Sequence, residues 1–153
     1  GRLVLVDTEV RTYTGGDFAG TLQEVMANVE RFGARDVCTF HKGYFEHTLP
    51  EFSQPVAFAF IDVDLASSEK TCLQYLWPLL IDGGYLLTAE APHLEIATLF
   101  YDRQWWCDVL GTEPPGLVGA GNGLGLFLYQ GGFRSSIGYT AKVDRSTLPS
   151  RPG

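Results

Sequence analysis

Acidic side chains follow two apolar segments of this sequence, at positions where buried strands would end. Asp62 and Asp64 come directly after the apolar run 56–61, and Glu90 follows the run 85–88. Carboxylate oxygens at such an edge suit a hard divalent cation, and a carboxylate can also take a proton from a bound hydroxyl. Neighbouring parallel strands lie about 4.8 Å apart, so Asp62 and Glu90 are close enough to touch one ion. The alternative is structural: Asp64 caps the next helix and Asp62 is solvated.

Three further candidates follow earlier apolar runs. Asp7 ends the run 3–6, where an acidic residue can accept hydrogen bonds from ribose hydroxyls or serve as a turn carboxylate. Gly43 allows a close approach of backbone to a ligand. The aromatic ring of Tyr44 or Phe45 can stack on a purine or pack in the core.

Two histidines are candidate acid–base groups because imidazole titrates near neutrality. His47 and His93 both lie in segments of loop character, where a histidine is more often a plain surface residue. No metal-ligand spacing relates the histidines to one another.

Apolar runs alternate with amphipathic stripes along the chain, and this alternation predicts the fold class. It indicates an α/β protein with a mostly parallel sheet, helices on both faces and a closing C-terminal antiparallel hairpin. In such sheets a ligand binds beyond the carboxyl ends of the strands. We expect one domain over 1–143 and a loose tail over 144–153. The predicted strands are 3–6, 37–41, 56–61, 85–88, 124–129 and 136–141, and the predicted helices contain the stripes 22–32, 72–80 and 94–105.

Composition narrows the function classes. The chain of 153 residues has a formal net charge of −7, which disfavours a nucleic-acid partner or an anionic membrane surface. No apolar run approaches the roughly 18 residues that a membrane helix needs. Cys38, Cys72 and Cys107 each lie in an apolar run and are predicted to be reduced core residues, which favours a cytoplasmic location.

Four segments together resemble the macrocin O-methyltransferase family of class I enzymes that use S-adenosylmethionine. The resemblance covers roughly residues 3–106, and its most specific part is the block beginning at Gly43. The segments are DTE at 7–9, GYFEHTLP at 43–50, FIDVDL at 60–65 and YLWPLLIDGGY at 75–85.

The resemblance implies methyl transfer to a hydroxyl of a sugar or another small natural product, with S-adenosylmethionine as cofactor and Mg²⁺ as a further candidate. It also implies roles for individual residues: Asp7 at the cofactor ribose, Gly43 and Tyr44 near the adenine, Asp62 and Glu90 as magnesium ligands, and Asp64 as general base.

Three features depart from that family. Ala89 stands where a first metal ligand is expected, and Ala66 stands where the family usually has Tyr. The glycine loop that follows the family's first strand has no counterpart, so we expect either a piece of a longer protein or a remodelled sheet. These departures favour a second hypothesis, a non-catalytic methyltransferase-fold domain that serves protein association. Self-association into a homo-oligomer is left open.

Overall fold

The computed structural model describes residues 20–119, 126–129, 132–135 and 137–143. The chain divides into two compact units, Gly1–Lys42 and Gly43–Gly153. The predicted strand 3–6 and the predicted tail 144–153 lie outside the described residues, and the single domain over 1–143 stays a prediction.

In the first unit, helix α1 (Leu22–Phe32) forms where the amphipathic stripe predicts it. Thr21 and Glu24 close its first turn reciprocally: the Glu24 N–H donates to Thr21 Oγ1 at 3.2 Å, and the Thr21 N–H donates to Glu24 Oε2 at 2.7 Å. These bonds satisfy backbone donors that have no partner within the helix. The helix ends at Gly33, as predicted.

The predicted strand 37–41 is wrong. Arg35–Val37 forms one turn of 3-10 helix, residues 38–41 have no regular structure, and Val37 is 77% exposed. A strand is stabilised by its ladder partner, and the described residues of this unit contain none.

The described residues of the second unit form five strands, in two sheets. The main sheet has the order β1-β2-β5, with β1 and β2 parallel and β5 antiparallel to β2. The other sheet is the hairpin of β3 and β4. The strands are β1 (Val56–Ile61), β2 (Leu80–Thr88), β3 (Leu126–Tyr129), β4 (Gly132–Ser135) and β5 (Gly138–Ala141).

Two details of the predicted sheet need correction. Residues 136–141 were expected to pair with 124–129, but β3 pairs with β4 and β5 joins β2 in the main sheet. The strand predicted over 85–88 begins earlier, at Leu80, and contains an irregularity around Asp82 and Gly83, where the register with β1 shifts between Val56 and Phe58. Gly83 has φ 78°, which glycine adopts without strain.

Helices connect and cover these strands. The predicted helix over 94–105 is interrupted, because the Asp102 side chain accepts a hydrogen bond from the Trp105 N–H at 3.1 Å and starts a new helix. The helices are α2 (Phe45–Thr48), α3 (Ala66–Leu79), α4 (Leu94–Leu99) and α5 (Arg103–Trp105), the last continuing as a π turn over Trp106–Leu110.

The core lies on one face of the main sheet. Trp106 is completely buried there, its ring lies edge-on to Trp77 at 4.9 Å, and its Nε1–H donates to the Leu99 carbonyl at 2.8 Å. The sheet contributes Ala59, Ile61 and Leu86 to this core, and the helices contribute Leu73, Trp77, Ile96 and Phe100.

The opposite face of the main sheet carries exposed aromatic rings. Phe58, Phe60 and Tyr85 are half exposed or more. The expectation of helices on both faces is therefore not met within the described part of the second unit.

The cysteines differ in burial. Cys72 is buried, as predicted, but Cys107 is exposed and lies outside the core, which corrects the expectation for that residue. Within the residues that the structure describes, no helix has the length and apolar character to cross a membrane.

Candidate active site

The acidic residues predicted from the sequence follow the ends of two paired strands. Ile61 and Thr88, the last residues of β1 and β2, are partners in the parallel ladder, and the Ala89 N–H extends it by donating to the Ile61 carbonyl at 2.9 Å. Asp62 and Glu90 are therefore carried to the same edge of the sheet. The short turn after β1 brings Asp64 to this edge as well.

Electrostatics show that these carboxylates act on one another. The Glu90 side chain is only 14% exposed, and its pKa is raised above the ordinary value mainly because burial disfavours the charged form. His93 opposes that rise, whereas the negative charges of Asp64 and Asp62 add to it. The strand-end cluster, defined as Asp62, Asp64, Glu90 and His93, is thus one electrostatic unit.

His93 is the partner of Glu90 in this cluster. Its Nε2 atom lies 3.0 Å from Glu90 Oε2, and its side chain is 61% exposed. His93 occupies the N-cap position of α4 without making a side-chain capping bond. Its ring is therefore held by the carboxylate on one side and open to solvent on the other.

Asp64 is not a helix cap. Helix α3 begins after Leu65 and has no side-chain capping bond at its N-terminus. Asp64 instead lines a cleft of about 240 Å³ together with His93, Ala66 and Glu95. The structural alternative for Asp64 therefore fails, while the exposure of Asp62 remains consistent with a solvated carboxylate.

A second cleft of about 450 Å³ shares Ala66 and Glu95 with the first. Its other lining residues include Lys70 on α3 and Asp102 before α5. The small side chain of Ala66 stands where the two clefts meet. Side chains of both signs thus line the surface next to Asp64.

The residues expected near a cofactor adenine precede α2. Gly43 has φ 154°, and a Cβ built there would lie 2.8 Å from Thr48 Cγ2, so a larger residue would not fit. The Tyr44 ring is 74% exposed and meets the His47 ring edge-on at 6.2 Å. The exposed Tyr44 ring offers an aromatic face for stacking, whereas the space beside the Gly43 Cα is filled by Thr48. Asp7, the expected ribose partner, lies outside the described residues.

The described residues give no support to the expected magnesium site. Glu90 is paired with His93, and Ala89 offers no ligand atom. Over 20–119 and 137–143, no group of three or more His, Cys, Asp or Glu side chains is arranged to hold a metal ion. Mg²⁺ is commonly held by only one or two carboxylates and keeps several waters, so Asp62 and Glu90 as its ligands stay a prediction. The prediction of Mg²⁺ on Asp62 and Glu90 receives no support.

Sequence reasoning missed a buried carboxyl group beneath the cluster. Glu69 on α3 is completely buried, and its Oε2 accepts a hydrogen bond from Thr88 Oγ1 at 3.3 Å. A signal was present in the sequence. Glu69 falls three and four positions before Cys72 and Leu73, on the stripe of α3 that faces the core.

Comparison with protein families identifies the class. The family model of a methyltransferase domain matches residues 1–90, which is more than half of the chain, so the protein belongs to this methyltransferase domain family. The matched region includes both carboxylates after β1 and ends at Glu90. A search of curated proteins found no match.

Proposed function

We propose that this domain transfers a methyl group from S-adenosylmethionine to a hydroxyl oxygen of a sugar or another small molecule. The observation that carries the proposal is Asp64, which does not cap α3 and lines a cleft with His93 where β1 and β2 end. Membership of the methyltransferase family supports methyl transfer in general. The hydroxyl acceptor is the finer part of the proposal.

Gly43 and Tyr44 would hold the adenine of the cofactor, and Asp7 would hold its ribose. When bound, S-adenosylmethionine supplies an electrophilic methyl group on a positively charged sulfur. The carboxylates of the strand-end cluster favour a positive charge nearby, because opposite charges attract more strongly in a partly buried site than in water.

Asp64 acts as the general base in this proposal. It takes the proton of the acceptor hydroxyl while the acceptor oxygen bonds to the methyl carbon and the carbon–sulfur bond breaks, leaving its electron pair on sulfur. His93, held by Glu90, can orient the hydroxyl through a hydrogen bond. Much of the rate enhancement then comes from holding the two reactants in line.

The lining of the clefts supports a polyhydroxylated acceptor. Lys70, Glu95 and Asp102 offer charged donors and acceptors, and Thr98 adds a hydroxyl to the larger cleft. Charged groups make the stronger hydrogen bonds to neutral hydroxyls. Ala66 leaves room for an acceptor that extends from one cleft into the other.

Two measurements test the proposed function. The first is the melting temperature with and without S-adenosylmethionine, which must rise if the folded chain binds it. The second is transfer of a radiolabelled methyl group from S-adenosylmethionine to a panel of free sugars and glycosides, followed by chromatography of the products. An unchanged melting temperature together with no labelled product would contradict the proposal.

A second candidate function is association with another protein. The exposed face of Phe58, Phe60 and Tyr85 favours it, because large exposed apolar patches on soluble proteins often mark interaction sites. The same thermal experiment separates the two candidates. An association module predicts no response to S-adenosylmethionine, whereas the transferase predicts a shift.

A further inference from the structure

Glu69 is a buried acid that forms no hydrogen bond to a charged group among the described residues. It lies in the first turn of α3, and its side chain has no solvent exposure. Its Oε2 atom accepts a hydrogen bond from Thr88, while Oε1 has no hydrogen-bond partner within the described part of the chain. An apolar residue at this core position would avoid the cost of burying a carboxyl group.

Thr88 connects this acid to the strand-end cluster. Its hydroxyl donates to Glu69 Oε2 at 3.3 Å and accepts from the Glu90 N–H at 3.2 Å. A hydroxyl has only one proton to donate, so a bond to Glu69 turns its lone pairs toward Glu90. Glu69 thereby sets the direction in which Thr88 holds the backbone of Glu90.

Two neighbouring contacts show which groups depend on the position of the Glu90 backbone. Glu90 is the residue whose carboxylate lies 3.0 Å from His93, and the His93 N–H donates to the Glu90 carbonyl at 2.9 Å. A shift of the Glu90 backbone would therefore move both the carboxylate and the imidazole that lines the cleft with Asp64.

The protonation of Glu69 is compatible with this role. Burial raises its pKa to about 7, against the lowering effect of the Thr88 hydrogen bond, and the charge of Glu90 raises it further. The neutral acid can place its proton on Oε1 and keep Oε2 as the acceptor. The groups that face Glu69 are Thr88 and Glu90 from the end of β2 and Cys72 on its own helix.

We infer that Glu69 is a positioning residue of the candidate active site: through the hydroxyl of Thr88 it holds the backbone of Glu90 and so keeps the Glu90–His93 pair beside Asp64. The effect on turnover depends on the proposed methyl transfer. The effect on the Glu90 backbone does not.

Amide hydrogen exchange of the 153-residue chain tests the hold directly. Thr88→Val and Glu69→Leu each remove one part of the connection with little change in volume. Exchange of the Glu90 N–H should accelerate about tenfold, because Thr88→Val removes its hydrogen-bond acceptor and Glu69→Leu removes the group that orients this acceptor. The Ala89 N–H, bonded to Ile61, is an internal reference that only unfolding of the strand end would expose.

Conservative variants separate positioning from plain packing. Thr88→Ser keeps the hydroxyl and Glu69→Gln keeps the acceptor oxygen, so both should restore slow exchange at Glu90 to within about threefold of wild type. Thr140→Val is the matched control, since Thr140 is also buried in the main sheet, on β5. It should leave Glu90 unchanged.

Several results would overturn the inference. One is equal exchange of Glu90 in wild type and Thr88→Val, and another is a Glu69→Gln variant as impaired as Glu69→Leu. The apolar variants could fail to fold. In that case, exchange of the wild-type Glu90 N–H at the rate of an unstructured peptide would also overturn the inference. An unchanged melting temperature with S-adenosylmethionine together with no methyl transfer in wild type would reject only the proposed function, because the exchange measurements do not depend on it.

Discussion

The two ends of the main sheet differ in how their polar groups are paired. Near the start of β2, the Lys142 ammonium group donates to the carbonyls of Trp77 at 3.1 Å, Pro78 at 3.3 Å and Leu80 at 2.7 Å. These bonds satisfy carbonyls at the C-terminal end of α3, which Pro78 helps to terminate.

At the other end of the sheet, carboxylates converge instead. Burial raises the pKa of Glu90, Asp64 and Asp62 raise it further, and buried Glu69 keeps an oxygen atom without a partner among the described residues. One end satisfies its polar groups and adds stability. The other retains unfavourable charge, which is characteristic of functional sites. Variants at each end of the sheet test this contrast.

The largest effect is expected for Asp64→Asn. The amide has the same shape but cannot take up the hydroxyl proton, so kcat for methyl transfer should fall by about 10² to 10⁴. Labelled product formation measures turnover, and calorimetry with S-adenosylmethionine should show that binding is retained. Asp82→Asn, at the opposite end of the sheet, is the matched control. Equal turnover in Asp64→Asn and wild type would reject Asp64 as the base.

Glu69→Gln should change how stability depends on pH. The folded-state pKa of Glu69 is raised from 4.5 to about 7, so between these values the folded chain keeps a proton that the unfolded chain releases. Wild-type stability therefore falls as pH rises through this window, and the glutamine variant lacks this loss. The variant's advantage should grow from near zero at low pH to about 3 kcal/mol above pH 7.

Urea unfolding at a series of pH values measures this advantage. Glu51→Gln, which changes an exposed carboxylate, serves as the control. Parallel curves for wild type and Glu69→Gln would show that Glu69 does not titrate in this window.

Lys142→Met should lower stability at the end of the sheet where β2 begins. It keeps an extended side chain but removes the three donors, and the free energy of unfolding should fall by about 2 kcal/mol. Urea unfolding measures the loss, with Lys70→Met as a control on an exposed lysine. Turnover of Lys142→Met below its melting temperature should be unchanged, whereas Lys70, which lines the larger cleft, is a control for stability alone. A loss of turnover without a loss of stability would contradict the division between the two ends.

The smallest effect is expected for Tyr44→Leu. Loss of a stacking ring should weaken S-adenosylmethionine binding by about threefold to tenfold, as expected for one aromatic contact. Calorimetry measures the affinity. Tyr85→Leu, which alters another exposed tyrosine, should leave it unchanged. Equal affinities for wild type and Tyr44→Leu would remove Tyr44 from the proposed cofactor site.

The local sequence pattern was sufficient to predict the strands that precede Asp62 and Glu90. The run ending at Ile61, the helix after it and the run ending at Thr88 form one parallel unit, so the positions of Asp62 and Glu90 at one edge could be predicted. The pairing of β5 with β2 could not. It joins residues far apart in the chain, and a short apolar run does not specify its partner.

By itself, the sequence determined which residue types follow each strand, since apolar runs and acidic residues are local features of the chain. Only the tertiary structure decided that Glu90 pairs with His93, that Asp64 lines a cleft and that Glu69 lies buried against Thr88. The physical reason is that burial and hydrogen bonding depend on which elements pack together. Those factors, rather than residue type, set the charge state and orientation of an acid.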